Sequence, residues 1–103
     1  MRQVINGKVY DTEAATKLAD DRFGNASDFG RWEEALYQTA KGAPFIAGEG
    51  GPKTRYAVSV ASNEWSGGSA VTPVSEEEAM AWCQEHRKTS VILTHFPQYV
   101  TEA

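Results

Sequence analysis

The sequence is poor in the residues that build metal centres, disulfides and membrane anchors. Its only cysteine is Cys83, so an internal disulfide is excluded. With His86 and His95, the chain offers three sulfur or imidazole ligands, and their spacing matches no zinc motif. No apolar run approaches the roughly 18 residues that cross a bilayer, and the first residues lack the apolar segment of a signal peptide. We expect no metal, no cofactor, no membrane association and a cytoplasmic location.

The chain also lacks an excess of positive charge. Ten lysine and arginine residues stand against fourteen aspartate and glutamate residues, which gives a formal net charge of -4. Because nucleic-acid affinity comes largely from basic side chains that neutralise phosphates, we expect no direct nucleic-acid binding. The charge is compatible with a basic protein partner, and it is equally ordinary for a soluble domain. With 41% apolar and 23% charged residues, the chain is sized and composed for one domain, residues 1–103.

The segment 12–22 has the spacing of an amphipathic helix. Asp11 and Thr12 are suited to cap its start, and Glu13 would then lie in the first turn, where the helix dipole favours a carboxylate. Gly24 would end the helix. The predicted face that packs on a sheet consists of Ala15, Leu18, Ala19 and Arg22.

Residues 76–87 contain the clearest local signal in the chain. Ser75 and Glu78 form a capping box, three glutamates occupy the first turn, and basic residues close the helix. Cys83 and His86 lie about one turn apart, as a Cys–His catalytic pair would, but the apolar neighbours of Cys83 favour a core role for the thiol. His86 is better placed as a cation at the helix C-terminus. We therefore expect no catalytic residues.

Several other segments are predicted to be extended. Asn6-Gly7 between apolar pairs predicts a hairpin near the N-terminus, because both turn residues tolerate positive φ. Alternation predicts a strand over residues 53–60, and a branched apolar row predicts a buried strand over 89–96. The remaining predicted segments are the hairpin strands 2–5 and 8–10, an extended stretch at 70–74, and loops at 24–31, 48–52 and 63–69.

The segment 32–41 supports two interpretations. As a helix, it would present Trp32, Ala35, Leu36 and Thr39 on one face. As a strand, it would lead into a turn and a return strand that starts beside Pro44, which gives a hairpin near residues 36–47. Local periodicity alone slightly favours the helix, and the strand stays open beside it.

The glycine-rich stretch GEGGPKT invites comparison with a phosphate-binding loop. A P-loop needs a glycine directly before its lysine, another glycine six residues before it, and a helix after it. Pro52 and Ala47 occupy those positions, so the stretch does not predict a nucleotide site. Glycines also let a partner approach the backbone closely. Glu49 within this loop is therefore a candidate partner contact.

Two acidic runs and one tryptophan are the other candidate partner contacts. Asp20, Asp21, Glu76 and Glu77 would imitate nucleic-acid phosphates and occupy a basic groove. They are equally explained as a solvated helix face and a first turn that matches the helix dipole. Trp65 lies in a predicted loop, where an exposed indole would anchor an interface and a buried one would fill the core.

Three stretches together resemble a family of small uncharacterised proteins carried by phages and other bacterial mobile elements. They are INGKVYDTEAATKLA, EEALYQTAKGAPFIAGEGGPKTRYA and VTPVSEEEAMAWCQEH, and the resemblance covers about residues 4–87. Its most specific parts are NGKVYDTE and LYQTAKGAPFIAGEGGP. The LYQTAKG stretch is strand and turn in such proteins, so the resemblance favours the hairpin. Small acidic proteins of this kind include anti-CRISPR proteins, which inhibit bacterial immune complexes by binding them.

The expected architecture is one α+β domain with a mainly antiparallel sheet packed with two helices, over about 12–22 and 76–87. The resemblance implies a non-enzymatic inhibitor inside a bacterial host cell, which blocks the nucleic-acid-binding surface of a CRISPR effector by steric or charge-based occlusion. Two alternatives stand beside it. One is a small ligand-binding protein or enzyme that uses the loop from Gly48 to Lys53 with His86 or His95. The other is a regulatory module that dimerises through an exposed strand edge.

Overall fold

Eight strands form three antiparallel sheets, and two helices cover one face of the largest sheet. In this computed structural model, which describes residues 1–103, the α+β class predicted from the sequence is confirmed. The strands are β1 (Arg2–Ile5), β2 (Lys8–Asp11), β3 (Thr16–Phe23), β4 (Trp32–Gln38), β5 (Pro44–Gly50), β6 (Val58–Ala61), β7 (Glu64–Ser66) and β8 (Gly68–Pro73). The helices are α1 (Glu76–Glu85) and α2 (Thr89–His95), and a single 3-10 turn follows at Pro97–Tyr99.

The largest sheet has the order β3-β4-β5-β8, and every neighbouring pair is antiparallel. The predicted hairpin near residues 36–47 is confirmed, with Leu36 opposite Ile46 and Gly42 at a φ of 88° in the turn. Residues 32–38 are therefore strand rather than helix. Both faces of β4 are partly covered, so apolar side chains occur at consecutive positions and imitate helical spacing.

The predicted helix over residues 12–22 is wrong, because β3 occupies most of that segment. A β-bulge interrupts the register between Lys17 and Ala19. As a result, Leu18 and Ala19 both pack against the same core, and two adjacent inward side chains look like part of a helical face. Asp11 does cap a turn, because its carboxylate accepts the Glu13 N–H at 2.9 Å, but the turn does not continue as a helix.

The capping box that begins α1 is confirmed. Ser75 Oγ accepts the Glu78 N–H at 3.0 Å, and Glu78 Oε1 accepts the Ser75 N–H at 2.9 Å. The predicted strand over residues 89–96 is wrong, because α2 occupies it. Ile92 and Phe96 are buried four residues apart while Leu93 is 59% exposed, which is a one-sided helical pattern rather than a buried strand.

The hydrophobic core has two parts, one on each face of the largest sheet. On the helix side it contains Leu36, Ile46, Ala79, Trp82, Cys83, Ile92 and Phe96. On the opposite side the β1–β2 hairpin covers Tyr10, Phe45, Ala47 and Val71. The core role expected for Cys83 is confirmed, and burial raises the pKa of its thiol. No helix is long and apolar enough to cross a membrane.

The segment between β5 and β8 departs most from the predicted pattern. The predicted strand over 53–60 is a turn as far as residue 57, and β6 begins only at Val58. The predicted loop at 63–69 contains β7 and the start of β8, so Trp65 lies on a strand. The predicted loop at 48–52 is still β5 as far as Gly50, so Glu49 also lies on a strand. The predicted N-terminal hairpin is confirmed, with Asn6 and Gly7 both at positive φ.

Candidate functional site

The glycine-rich stretch after Ala47 packs closely against the turn that follows it in the chain. A Cβ added at Gly48 would lie 1.9 Å from Tyr56 Oη, and one added at Gly50 would lie 2.3 Å from Thr54 Oγ1. A Cβ at Gly51 would lie 2.5 Å from the Phe29 carbonyl oxygen. Side chains at these positions are sterically excluded, and the turn can fold back over the end of the sheet only because they are absent. The glycines therefore make room for the 51–57 turn and its Tyr56 side chain, and they do not form a phosphate-binding loop.

Tyr56 is buried, and its hydroxyl group donates a short hydrogen bond to Glu34 Oε2. The other carboxylate oxygen, Glu34 Oε1, accepts the indole N–H of Trp82 at 3.0 Å. Arg55 Nη2 lies 2.8 Å from Tyr56 Oη and 3.2 Å from Glu34 Oε2. Glu34 thus joins the sheet, helix α1 and the 51–57 turn through one carboxylate, whose side chain is only 12% exposed.

His86, just beyond the end of α1, adds a second carboxylate to this group. Its Nδ1 is hydrogen-bonded to Asp21 Oδ2 at 2.8 Å, while its Nε2 lies 3.9 Å from Glu34 Oε1, too far for a hydrogen bond. The imidazole ring packs against Trp82 at a centroid distance of 4.2 Å and against Trp32 at 5.5 Å. We call the set that these contacts join the Glu34 cluster, and its members are Asp21, Glu34, Arg55, Tyr56, Trp82 and His86.

The environment of the Glu34 cluster changes the proton affinity of three of its members. Burial, followed by the hydrogen bond to Glu34, raises the pKa of Tyr56 to about 12. The hydrogen bond to Tyr56 raises the pKa of Arg55, which keeps its charge. The hydrogen bond from His86, supported by the backbone N–H of Arg22, lowers the pKa of Asp21 below its ordinary value. Each shift favours the protonation state that completes the network at neutral pH.

The Glu34 cluster lies beside a cleft of about 490 Å³, whose walls include Trp32, Lys53 and His86. The structure therefore brings the end of the 48–53 loop close to His86, as the ligand-binding alternative requires. His95 is not part of the cleft, because it is exposed on α2 against Phe96. No group of three or more histidine, cysteine, aspartate or glutamate side chains is arranged to hold a metal ion. His86 Nε2 is a polar contact that the cleft offers. The hydroxyl groups that line the cleft belong to Thr54 and Tyr56, and they donate hydrogen bonds to the Gly51 carbonyl and to Glu34, so neither is a free nucleophile.

The six predicted contact residues fall in four separate places. Asp21 belongs to the Glu34 cluster on the helix side of the sheet. Glu76 and Glu77 lie in the first turn of α1, where Glu76 accepts hydrogen bonds from the C-terminal segment. Trp65 is exposed on the β6–β7 hairpin. The two residues not yet placed, Asp20 and Glu49, lie on the sheet face opposite the helices.

That face carries an acidic group that sequence patterns did not identify as a unit. Glu33 on β4 is directly opposite Glu49 on β5, and both side chains are exposed. Asp20 on β3 is only a diagonal neighbour of Glu33, because the residue directly opposite Glu33 on β3 is Arg22, with which it forms no ion pair. Asp20 forms an ion pair with Lys17 at 3.0 Å, whereas Glu33 and Glu49 form none. We define the open acidic face as Asp20, Glu33 and Glu49.

The contact between His86 and Asp21 predicts a specific dependence of stability on pH. The lowered pKa of Asp21 means that the fold stabilises its ionised carboxylate, so this contribution is present above pH 3.8 and is lost as the pH falls further. We expect Asp21→Asn to flatten the fall in unfolding free energy below pH 3.8, as measured by urea denaturation across the acid range. Asp20→Asn is the matched control, because that carboxylate lies on the opposite face and contacts Lys17. Equal flattening in both variants would contradict the assignment.

Most of the Glu34 cluster was not anticipated from the sequence. One signal pointed to it: Trp32, Glu34 and Leu36 alternate along one strand, so a carboxylate lies on a face that is otherwise apolar. A carboxylate in such a position requires hydrogen-bond donors from elsewhere in the chain. Compared with protein-family models, curated proteins and solved structures, the chain matches none of them.

Proposed function

We propose that the chain is a non-enzymatic binding protein that inhibits a bacterial host complex, with a CRISPR effector as its target. The open acidic face carries the proposal, because Glu33 and Glu49 are directly opposite each other without an ion-pair partner. Like charges opposite each other on neighbouring strands destabilise a sheet. A basic surface laid over the face would relieve that repulsion, so the partner that fits best is rich in lysine and arginine.

The shape of the molecule supports occlusion of a groove rather than enclosure of a ligand. Its principal extents are 49, 35 and 19 Å, so it is a thin plate. The open acidic face lies on the sheet face opposite the helices, and none of its residues belongs to the core that the β1–β2 hairpin covers. Glu33 and Glu49, directly opposite each other on β4 and β5, present two adjacent negative charges to a surface that binds phosphates. Occupation of that surface would exclude nucleic acid by charge and by bulk.

The Glu34 cluster supports a structural role rather than a chemical one. Both oxygens of Glu34 accept hydrogen bonds, the hydroxyl of Tyr56 is engaged, and Asp21 is engaged with His86. A general acid or base needs an atom that can exchange a proton with a substrate. Among the proton-exchanging atoms of the Glu34 cluster, only Nε2 of His86 is without a hydrogen bond, and the imidazole ring is largely buried. The cluster instead connects three elements and holds the sheet that carries the open acidic face.

A pull-down with charge-reversal variants tests the proposed function. Purified CRISPR effector complexes of several types are incubated with the wild-type chain, with Glu33→Lys/Glu49→Lys, and with Glu13→Lys/Glu102→Lys. Both double variants change the net charge equally, and all four side chains are exposed, so only the position differs. We expect retention of the wild type and of the Glu13/Glu102 variant. We expect at least about a tenfold loss of affinity for the Glu33/Glu49 variant, because like charges would then meet across the interface.

Two results would overturn the proposed function. One is the absence of wild-type retention by every effector at micromolar concentration. The other is equal loss in the two double variants, which would show that net charge and not the open acidic face controls binding. Titration at rising ionic strength adds an independent readout, since association that depends on exposed charges weakens as salt screens them.

A further inference from the structure

The cleft beside the Glu34 cluster carries opposite charges on its two sides. Strands β4 and β5 form its floor. One side is the turn that follows β5, which carries Lys53 and Arg55. The other side is the end of α1, which carries Glu85. A simple anion would therefore face Glu85, and a simple cation would face Lys53, so a ligand that carries both charges fits the cleft best.

The cations on the turn side have hydrogen-bond donors to spare. Lys53 is exposed and forms no ion pair. Arg55 contacts Tyr56 and Glu34 through Nη2 alone, so the N–H groups on its Nε and Nη1 remain for another acceptor. Hydrogen bonds from cationic donors to a carboxylate are among the stronger ones in proteins. Lys53 and Arg55 are therefore suited to hold the carboxylate of a ligand.

The contact between His86 and Asp21 decides what the imidazole ring offers to the cleft. Nδ1 of His86 lies 2.8 Å from Asp21 Oδ2, and an ionised carboxylate only accepts hydrogen bonds, so Nδ1 is the nitrogen that carries the proton. In the neutral ring, Nε2 then presents a lone pair to which no side chain donates. The carboxylate of Glu85 is exposed beside it and forms no ion pair. The helix side thus offers two acceptors, which an amino group would satisfy.

We propose that the cleft binds a small zwitterion with an aromatic ring, the chemistry of an aromatic α-amino acid. Its carboxylate contacts Lys53 and Arg55, and its amino group contacts Glu85 and His86 Nε2. Its ring lies against Trp32, which is half-buried on the cleft floor. The cleft volume of about 490 Å³ is within the range of small-molecule sites, about 300–1,000 Å³. The proposal is independent of the proposed function, because the open acidic face lies on the opposite side of the sheet.

Heteronuclear NMR of the isotope-labelled chain tests the ligand class, because its indole N–H groups report on different places. Phenylalanine or tryptophan is added at millimolar concentration. We expect the indole signals of Trp32 and Trp82, which line the cleft, to shift, and the signal of Trp65, which lies on β7 outside the cleft, to stay. The matched probes are phenylpropionate, which lacks the amino group, and phenethylamine, which lacks the carboxylate. Each should bind at least about tenfold more weakly than phenylalanine, since each loses one charge-assisted contact.

Charge-removing variants at the two unpaired positions test which residues hold the ligand. Lys53→Gln and Glu85→Gln each remove one exposed charge from the cleft, and each should weaken the binding of phenylalanine about three- to tenfold. Lys41→Gln and Glu13→Gln are the matched controls, because both side chains are exposed outside the cleft, and they should bind as the wild type does. The absence of shifts at Trp32 and Trp82 with both amino acids would overturn the proposal. Equal affinity for phenylalanine and either probe that lacks one charge would also overturn it, and so would equal effects of the cleft and control variants.

Discussion

Replacement of Glu34 by alanine is expected to lower the free energy of unfolding by about 2–4 kcal/mol, mainly because two buried hydrogen-bond donors lose their acceptor. The carboxylate takes hydrogen bonds from Tyr56 and Trp82 and an ion pair from Arg55. Its loss leaves the buried hydroxyl and indole N–H without acceptors, and each unsatisfied buried group costs about 1–3 kcal/mol. Because one donor belongs to α1 and the other two to the 51–57 turn, both elements should loosen.

Urea denaturation at neutral pH measures this effect, and the neighbouring residue supplies the control. Glu33 has the same side chain one position earlier, but it points to the open side of the sheet and is exposed. We expect Glu33→Ala to change the free energy of unfolding by no more than about 0.5 kcal/mol. Glu34→Gln keeps one acceptor and should cost about 1–3 kcal/mol. Similar losses at positions 33 and 34 would contradict the role of the Glu34 cluster.

The parts of the fold that sequence patterns predicted are those whose causes are local. The capping box of α1 lies within four residues, and the Asn6-Gly7 turn needs only the positive φ of its two central residues. The failures have distant causes. The apparent helical spacing near Leu18 results from a β-bulge where β3 pairs with β4. Residues 89–95 form a helix because one side of it packs against α1, although the β-branched run by itself predicts a strand.

The candidate site was hidden from sequence patterns for the same reason. Trp82 and Glu34 are 48 positions apart, and His86 and Asp21 are 65 apart, so no motif of fixed spacing can join them. Of the two acidic runs singled out from the sequence, Asp20 and Asp21 are divided by the pleat of β3, which directs them to opposite faces. Glu33 and Glu34 are divided in the same way. Asp21 and Glu34 belong to the Glu34 cluster, whereas Glu33 and Asp20, which is paired with Lys17, are exposed on the opposite face.

The glycine cluster between Gly48 and Gly51 has a structural role that its composition alone did not indicate. Its composition predicted a loop whose backbone a partner could approach closely, and the P-loop comparison failed on spacing. The structure places the ring of Tyr56 directly over Gly48, and the main chain of the 29–31 segment against Gly50 and Gly51. The glycines are thus required because parts of the chain approach each other closely here, and they make room for the turn that carries Tyr56 into the Glu34 cluster.

Substitution of Gly48 by alanine is therefore expected to lower the free energy of unfolding by about 2–4 kcal/mol. Overpacking of a filled site costs about 1–3 kcal/mol, and the displaced hydroxyl of Tyr56 would lose a hydrogen bond worth about 1 kcal/mol. The added methyl group would lie 1.9 Å from Tyr56 Oη in the present arrangement, so the ring has to move away from Glu34. Gly30→Ala is the control, since a Cβ there meets nothing within 4 Å.

The ionisation of Tyr56 distinguishes this mechanism from general destabilisation. The pKa of Tyr56 is raised from 10.0 to about 12, so its protonated form contributes stability that is fully present below pH 10 and is lost as the pH rises towards 12. In Gly48→Ala the ring leaves its buried position, and the pKa should return towards 10.0. We expect the ultraviolet tyrosinate signal of Gly48→Ala to develop at lower pH than that of the wild type, and its unfolding free energy to depend less on pH in this alkaline range. An unchanged tyrosinate titration in a destabilised variant would show that the methyl group acts elsewhere than on Tyr56.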